Sequence, residues 1–447
     1  MIPGLENLEE VNALCELQLL PGKVPGGYQR AEAELADDFQ LTISHASSAP
    51  EHPVWVWRGR TDKTLFVGCG AAWRGTLAQA VELLPSLPEG ALLYGARAFA
   101  IEASGISAGS DADVEDWHGF DSDCFVLPSI ELSQIPGRRA RIAFHFVKGG
   151  KPALNEAQSW ISSAIPNPTS PLPQAIARWD SPNFEEWEAS VRDALGAMSE
   201  GGLRKVVLAR KSWLELAEPT DPFIFLEHLA RRAPSCFLFA YRPLQRAMTF
   251  LGTSPELLYA RKGAEIFSEA LAATRSRSLD PSEDERLANQ LFHSPKERAE
   301  HECVAQAIAS YFASLCSSYE RDREPSVLKL GRLQHLRTAF SGTLRDGTDD
   351  AQILSTLHPT PAVCGTPRDA AYARILACEP FTRGLYAGPL GVLSASKAEF
   401  CVAIRSMCID GRLLNLYAGA GIVPGSDAEK EWWELDAKIE EITRLVS

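Results

Sequence analysis

The chain has 447 residues, 45% of them hydrophobic, enough for one large or two ordinary domains with a full core. Asp and Glu outnumber Lys and Arg 58 to 44, giving a formal net charge of -14, and no basic tract is interleaved with aromatic residues. That balance argues against nucleic acid and anionic membrane as partners, so a site for an anionic substrate has to be a local island of Arg, Lys or metal.

The opening MIPGLENLEEVN is acidic and lacks the basic start of a signal peptide, and no apolar run approaches a membrane-spanning length. Ten scattered cysteines without a CxxC pair fit reduced, buried thiols, so a cytoplasmic location is expected. Residues 1 to about 150 mix short β-like runs, such as VWVWRG and TLFVGCG, with Gly- and Pro-containing turns. Glycines surround Cys69, but the wider glutamine-amidotransferase pattern is missing, so Cys69 reads as a strand-end thiol. PNPTSPLP (166–173) marks a boundary, because four prolines in eight residues cannot sit inside a helix or central strand.

Beyond it, Phe184, Trp187, Val191, Leu195 and Met198 recur at helical spacing behind Ser181-Pro182, which serves as the expected cap and first turn. Strands are predicted at RKVVLAR (204–210), CFLFAYR (236–242), MTFLG (248–252) and ELLYAR (256–261). A helix follows over about 295–316, with Val304, Ile308, Tyr311 and Leu315 as its stripe. GPLGVLSA, FCVAIRSMCI and LLNLYAGAG then read as β runs before a terminal helix, which Ser426 and Glu429 would open as a capping box. Strand clusters separated by long helices, without βαβ alternation, predict an α+β fold of large antiparallel sheets flanked by helices.

Two helices place carboxylates where apolar residues belong. On the terminal helix Glu434, Lys438, Leu435 and Ile442 all fall within roughly 60° of Glu431. On the helix at 295, Ser294 is the cap, Pro295 takes N1 and Glu297 the reciprocal capping-box position, yet Glu297 and Glu300 share the stripe of Val304. One such pair is most simply a solvated helix end; two together make a hard-cation site competitive, and four carboxylates suit Mg²⁺. In RKVVLAR, Lys205 alternates onto the face of Val207 and Ala209, either as a snorkelling edge lysine or as a general base, since burial disfavours an ammonium. GTSPELL puts Glu256 at a turn–strand junction, and EALAATRSRS supplies Thr274, Arg275 and Arg277. His335 in HLRTAFSGTL reads as a structural hydrogen-bond partner. The HPTPAVCG loop, with Ala362 and Val363, can turn backbone amides to an anion. Tyr386, Arg405, Gly419 and Gly421 come from GLYAGPLG, AIRSM and YAGAGIVPGSD, the glycines permitting close backbone approach.

Taken in order, RKVVLAR, FLGTSPELL, EALAATRSR, SPKERAEHE, HPTPAVCGTP, EPFTRGLYAGPLG, AIRS and YAGAGIVPGSDAEKEWWELDAK resemble the signature series of the chorismate-utilising enzymes. The resemblance covers roughly residues 180–447; YGARAFAIE and DSDCFVLPSIEL, further upstream, are similar to isochorismate synthases. It implies the anthranilate-synthase large-subunit fold, with 1–165 as the looser N-terminal part and 175–447 as the chorismate-binding region of one intertwined domain. It also implies an isochorismate synthase for menaquinone or siderophore synthesis, with Lys205 activating water for C2 and Glu256 protonating the departing C4 hydroxyl. By the same resemblance Glu300 and Glu434 hold Mg²⁺, with Glu297 and Glu431 in or beside its shell. Thr274, Ala362, Val363, Tyr386, Arg405, Gly419, Gly421 and Lys438 bind chorismate. The alternatives are a salicylate synthase, which goes on to eliminate pyruvate, and an ammonia-using synthase. Ala272 stands where aminodeoxychorismate synthases carry a nucleophilic lysine, and Lys205 argues for water, so no amidotransferase subunit is expected. Ala273 departs from the pattern, which usually has Gly there.

Overall fold

The computed structural model describes residues 27–49, 51–100, 117–147, 151–163, 167, 169–244 and 248–447. The acidic opening stretch lies outside them, as do Pro166 and Pro168 of the proline-rich boundary and the end of YGARAFAIE. The described residues build two antiparallel sheets, of twelve and ten strands. Each is made from both parts of the sequence. In the larger sheet, Val54–Arg58 pairs with Phe237–Arg242, and in the smaller Leu93–Arg97 pairs with Pro389–Leu393. One apolar cluster joins them, with Val56, Leu251 and Leu416 from the larger sheet, Leu258 and Phe400 from the smaller, and Val304, Ile308, Leu435 and Ile439 from helices.

Among the short links at which the chain crosses between sheets, two matter below. Thr249–Ser254 belongs to the larger sheet and Leu257–Lys262 to the smaller, so Pro255 and Glu256 make the crossing. FCVAIRSMCI is likewise not one strand. Lys397–Val402 ends in the smaller sheet and Ser406–Asp410 begins in the larger, with Arg405 between them at φ +49°.

The predicted strand RKVVLAR extends over Lys205–Leu216 and is not an edge. It pairs with Leu413–Ile422 on one side and with Gly365–Thr366 and Ala175–Ser181 on the other. EALAATRSRS, unassigned from sequence, is the end of a long strand, Glu265–Ser276. Helix starts are shifted from expectation. Ser181 ends a strand, and Phe184–Ser199 is capped instead by Asn183, whose side chain accepts from Glu186 N while Glu186 answers to the Asn183 N–H. Phe184 itself is exposed and meets Trp432 edge-on at 5.5 Å. The terminal helix, Ala428–Thr443, is capped by Asp427, not Ser426; the Ser426 hydroxyl accepts from Val423 N instead. Helix Pro295–Leu315 starts at Ser294 as expected, but the Ser294 N–H is spent on Leu291 O, so the Glu297 carboxyl does not close a capping box. Its buried stripe takes Phe312 in place of Tyr311. No helix among the described residues is long and apolar enough to cross a membrane.

One buried ion pair fastens the loop 358–365 to the Lys205 strand. Arg383 and Glu379, each 3% exposed, bond to one another, and Arg383 also donates to Val363 O at 2.7 Å and Val207 O at 2.8 Å. Glu379 accepts from Ala209 N at 2.8 Å. Every polar atom that burial would orphan here has a partner. Arg383→Ala should therefore leave a buried carboxylate and two carbonyls uncompensated and lower stability by about 3–5 kcal/mol. Urea denaturation followed by tryptophan fluorescence measures the loss.

Candidate active site

A pocket opens at the two sheet crossings. It is lined by Lys205, Glu256, Thr274, Glu300, Ala362, Val363, Tyr386, Arg405, Gly419, Gly421, Glu434 and Lys438, which the sequence had singled out from eight separate motifs. Glu297 and Glu431 lie beside it, off the lining. Arg275 and Arg277 turn away from it, to Gln290 and to Asp284. Cys69 is a buried strand-end thiol, as read from sequence.

Lys205 is 1% exposed, but its neighbours are not only apolar: Nζ donates to Glu300 Oε1 at 3.0 Å. This corrects the picture of a lysine isolated among Val and Ala. Burial pushes the Glu300 carboxyl up, but Lys205, Lys438 and Lys296 outweigh it and leave Glu300 below the usual carboxylate range. The pair fits because position 421 has no side chain. A Cβ on Gly421 would come within 2.7 Å of Glu300 Oε1 and 3.2 Å of Lys205 Cε.

Glu256 is the opposite case. It is buried without a cation in contact, and burial first, then the charge of Glu269, push its carboxyl up to about 8, with Lys205 and Lys438 opposing. Its backbone is pinned: Glu256 N donates to Ser254 Oγ, and Glu256 O accepts from Val402 N. At neutral pH this pocket thus holds one carboxyl that keeps its proton and one carboxylate that is hydrogen-bonded to a lysine.

The remaining lining is a set of donors. Lys438 bridges Glu434 Oε1 at 2.6 Å and Gly419 O at 2.8 Å. Tyr386 stacks on Tyr417 with 5.2 Å between ring centres. Ala362 and Val363 are present, but the Val363 N–H goes to Thr360 O, so it offers no amide to an anion. His335, set aside at the sequence level, lies in the pocket. Burial, Arg405 and Lys438 hold it neutral, well below the usual histidine range. Arg405 Nη2 donates to His335 Nε2 at 3.0 Å, so the ring proton sits on Nδ1 and is donated to Thr274 Oγ1 at 3.1 Å. The Thr274 hydroxyl proton is then directed elsewhere. The sequence carried no signal for this, because His335 meets Thr274 only through strand register.

The four carboxylates of the two helices feel one another. Burial, then Glu300, with Glu434 also contributing, raise Glu297; burial, then Glu434, with Glu300 also contributing, raise Glu431. Lysines answer three of them: Lys205 on Glu300, Lys438 on Glu434 and Lys296 on Glu431. Among the described residues no three acidic, His or Cys groups converge into a preformed metal cluster. The donor chemistry, hard oxygens in mutual repulsion, nevertheless fits a hard divalent cation.

Residues 38–447 match the family described as chorismate binding enzymes, and the chain belongs to that family. Among its relatives is isochorismate synthase MenF of Escherichia coli, 32% identical over 416 residues that span 90% of each chain. The chloroplastic isochorismate synthase of Catharanthus roseus is 35% identical over 74% of this chain, which spans 59% of that longer protein. The solved structure of the menaquinone-specific isochorismate synthase MenF from E. coli superposes with a TM-score of 0.82, at 29% identity, covering 98% of this chain and all of the other. Anthranilate synthase component I from Streptococcus pneumoniae shares the fold, with a TM-score of 0.70 at 21% identity over 99% of both chains.

Ala273 now has a structural meaning. Its φ is +61°, and the pairing of its strand with Leu333–Leu344 slips between Ala272 and Thr274. This bulge breaks the alternation, so Ala272, Ala273 and Thr274 all reach the pocket wall. A left-handed backbone burdens any residue with a Cβ. Ala273→Gly should raise stability by about 1 kcal/mol, part of the relief being lost to glycine's greater unfolded-state freedom. The shift in urea midpoint at constant slope checks it.

Proposed function

We propose that the chain is an isochorismate synthase. It converts chorismate to isochorismate by adding water at C2 and losing the C4 hydroxyl, in menaquinone or siderophore biosynthesis. The observation that carries this reading is a buried lysine and a buried carboxyl holding its proton up to about pH 8, both lining one pocket. Lys205 acts as the free amine: it accepts a proton from water as the C2–O bond forms and becomes an ammonium beside Glu300. The ring double bonds shift, the C4–O bond breaks, and Glu256 gives its proton to the departing hydroxyl. Arg405, Lys438 and the hydroxyls of Thr274 and Tyr386 hold the substrate's two carboxylates and enolpyruvyl group. The Gly419 and Gly421 backbone lets the ring lie close.

Mg²⁺ would be held by Glu300 and Glu434, with Glu297 and Glu431 beside it, and would supply positive charge opposite a substrate carboxylate. The mutual repulsion of those four groups supports the assignment. The two sequence segments share both sheets, which supports reading 1–165 and 175–447 as one intertwined domain; the proposed enzyme acts in the cytoplasm and uses water, so it needs no amidotransferase subunit.

Incubation of the protein with chorismate and Mg²⁺, followed by product separation, should yield isochorismate, and isochorismate alone should return chorismate. Stoichiometric pyruvate with fluorescent salicylate would assign a salicylate synthase instead. Lys205→Ala run alongside should lose about 10²–10⁴-fold in turnover, and near-normal turnover would remove it from the mechanism.

Glu434→Gln should weaken Mg²⁺ binding in calorimetry at least about tenfold, since even outer-shell changes cost that much. Unchanged affinity would disprove the two-helix site.

A further inference from the structure

We propose that Glu269, which does not line the pocket, is a positioning residue for the general acid: with Arg60 it clamps the backbone on both sides of Glu256, and as a fixed negative charge behind that side chain it keeps the carboxyl in its proton-bearing form. The proposal rests on the reading of Glu256 as the acid. Glu269 is fully buried, on strand Glu265–Ser276. Arg60 grips both of its oxygens, the Nη2 bond being 2.9 Å, and Arg337 Nε donates to Oε2 at 2.7 Å. Burial alone would raise the Glu269 carboxyl, but these two guanidinium groups reverse that and leave it below the usual carboxylate range. The charge is therefore permanent.

The same two residues hold the sheet crossing. Arg60 Nη1 donates to Pro255 O at 2.6 Å, and Leu257 N donates to Glu269 Oε1 at 3.2 Å. The residues just before and just after Glu256 are thus tied to one buried ion pair. The charges that act on the Glu256 carboxyl are chiefly Glu269, Lys205 and Lys438, with Tyr386 and Cys401 neutral beside it; Glu300, Glu434, Arg405 and the neutral His335 share the pocket, and Arg60 holds the adjacent Pro255 carbonyl. Of these, Glu269 is the anion that raises it. It opposes the two lysines, which by themselves favour the carboxylate. An acid catalyst next to a lysine base needs such an opposing charge, or the lysine would draw off its proton.

The test follows Glu256 directly and through turnover. Acid catalysis requires the protonated carboxyl, so kcat/KM is expected to fall as pH rises through about 8. Glu269→Gln keeps the acceptor for Leu257 N but removes the charge. It should move that fall about one unit to lower pH, a tenfold change in the acid-to-carboxylate ratio. Arg337→Gln removes one of the two cations that hold Glu269 and should move it the other way. The carboxyl stretch of Glu256 in infrared difference spectra, identified by its absence in Glu256→Gln, reports the same titration without turnover. Opposite shifts in the two variants support the proposal. A folded Glu269→Gln protein with unchanged titration overturns it. Should that variant not fold, the Arg337→Gln shift decides, and its absence overturns the proposal. Full activity in Glu256→Gln would refute the acid assignment itself, while the infrared titration in the other variants would still judge Glu269.

Discussion

The contact on which the site depends is the buried hydrogen bond between Lys205 and Glu300. A lysine that is 1% exposed needs a hydrogen-bond partner, and the partner comes from a different layer. Lys205 stands on the larger sheet, whereas Glu300 sits on a helix packed against Glu265–Ser276 of the smaller one. Their contact fixes how close the two layers come and leaves no room for a side chain at Gly421. The terminal helix closes the same corner through Lys438, which bonds to the Gly419 carbonyl on the neighbouring strand.

Around that pair, similar burial produces opposite ionisation. Glu256 and Glu300 are both withdrawn from water, yet one is pushed up to about 8 and the other held below its usual range. The difference lies in their partners: Glu300 touches a lysine, and Glu256 has an anion behind it. Such a divided pair of carboxyl environments is how acid and base roles coexist within one small volume. The cost of the arrangement is carried by well-satisfied ion pairs outside the pocket, Arg383 with Glu379 and Arg60 with Glu269.

Irregular backbone aims the ligand-facing groups. Ala273 at φ +61° and Arg405 at φ +49° both interrupt strands, one at a bulge and one at a sheet crossing. Regular strands would send alternate residues away from the pocket. Through these two breaks Thr274 and Arg405 meet His335 between them, and the neutral ring fixes which way each hydrogen bond runs.

Much of this was legible in the residues themselves. The antiparallel α+β class, the Lys205 strand, the helix beginning at Ser294 and all of the pocket-lining candidates followed from local pattern and from the ordered motifs, because each is a property of a few adjacent residues. The helix caps at Asn183 and Asp427 were missed by one or two positions, since Ser181 was already committed to a strand and Ser426 to Val423 N. His335 was read as a hydrogen-bond partner, but not whose or that it lines the pocket, and Glu269, Arg60 and the Glu379–Arg383 clamp were not legible at all. Their roles depend on strand register and on contacts between segments up to 209 positions apart, as for Arg60 and Glu269. Residue type and spacing determine which groups are available and which helix face carries them. Only the packing of two sheets against each other decides which carboxyl meets a lysine and which meets an anion, because that depends on dielectric and distance across the chain, not along it.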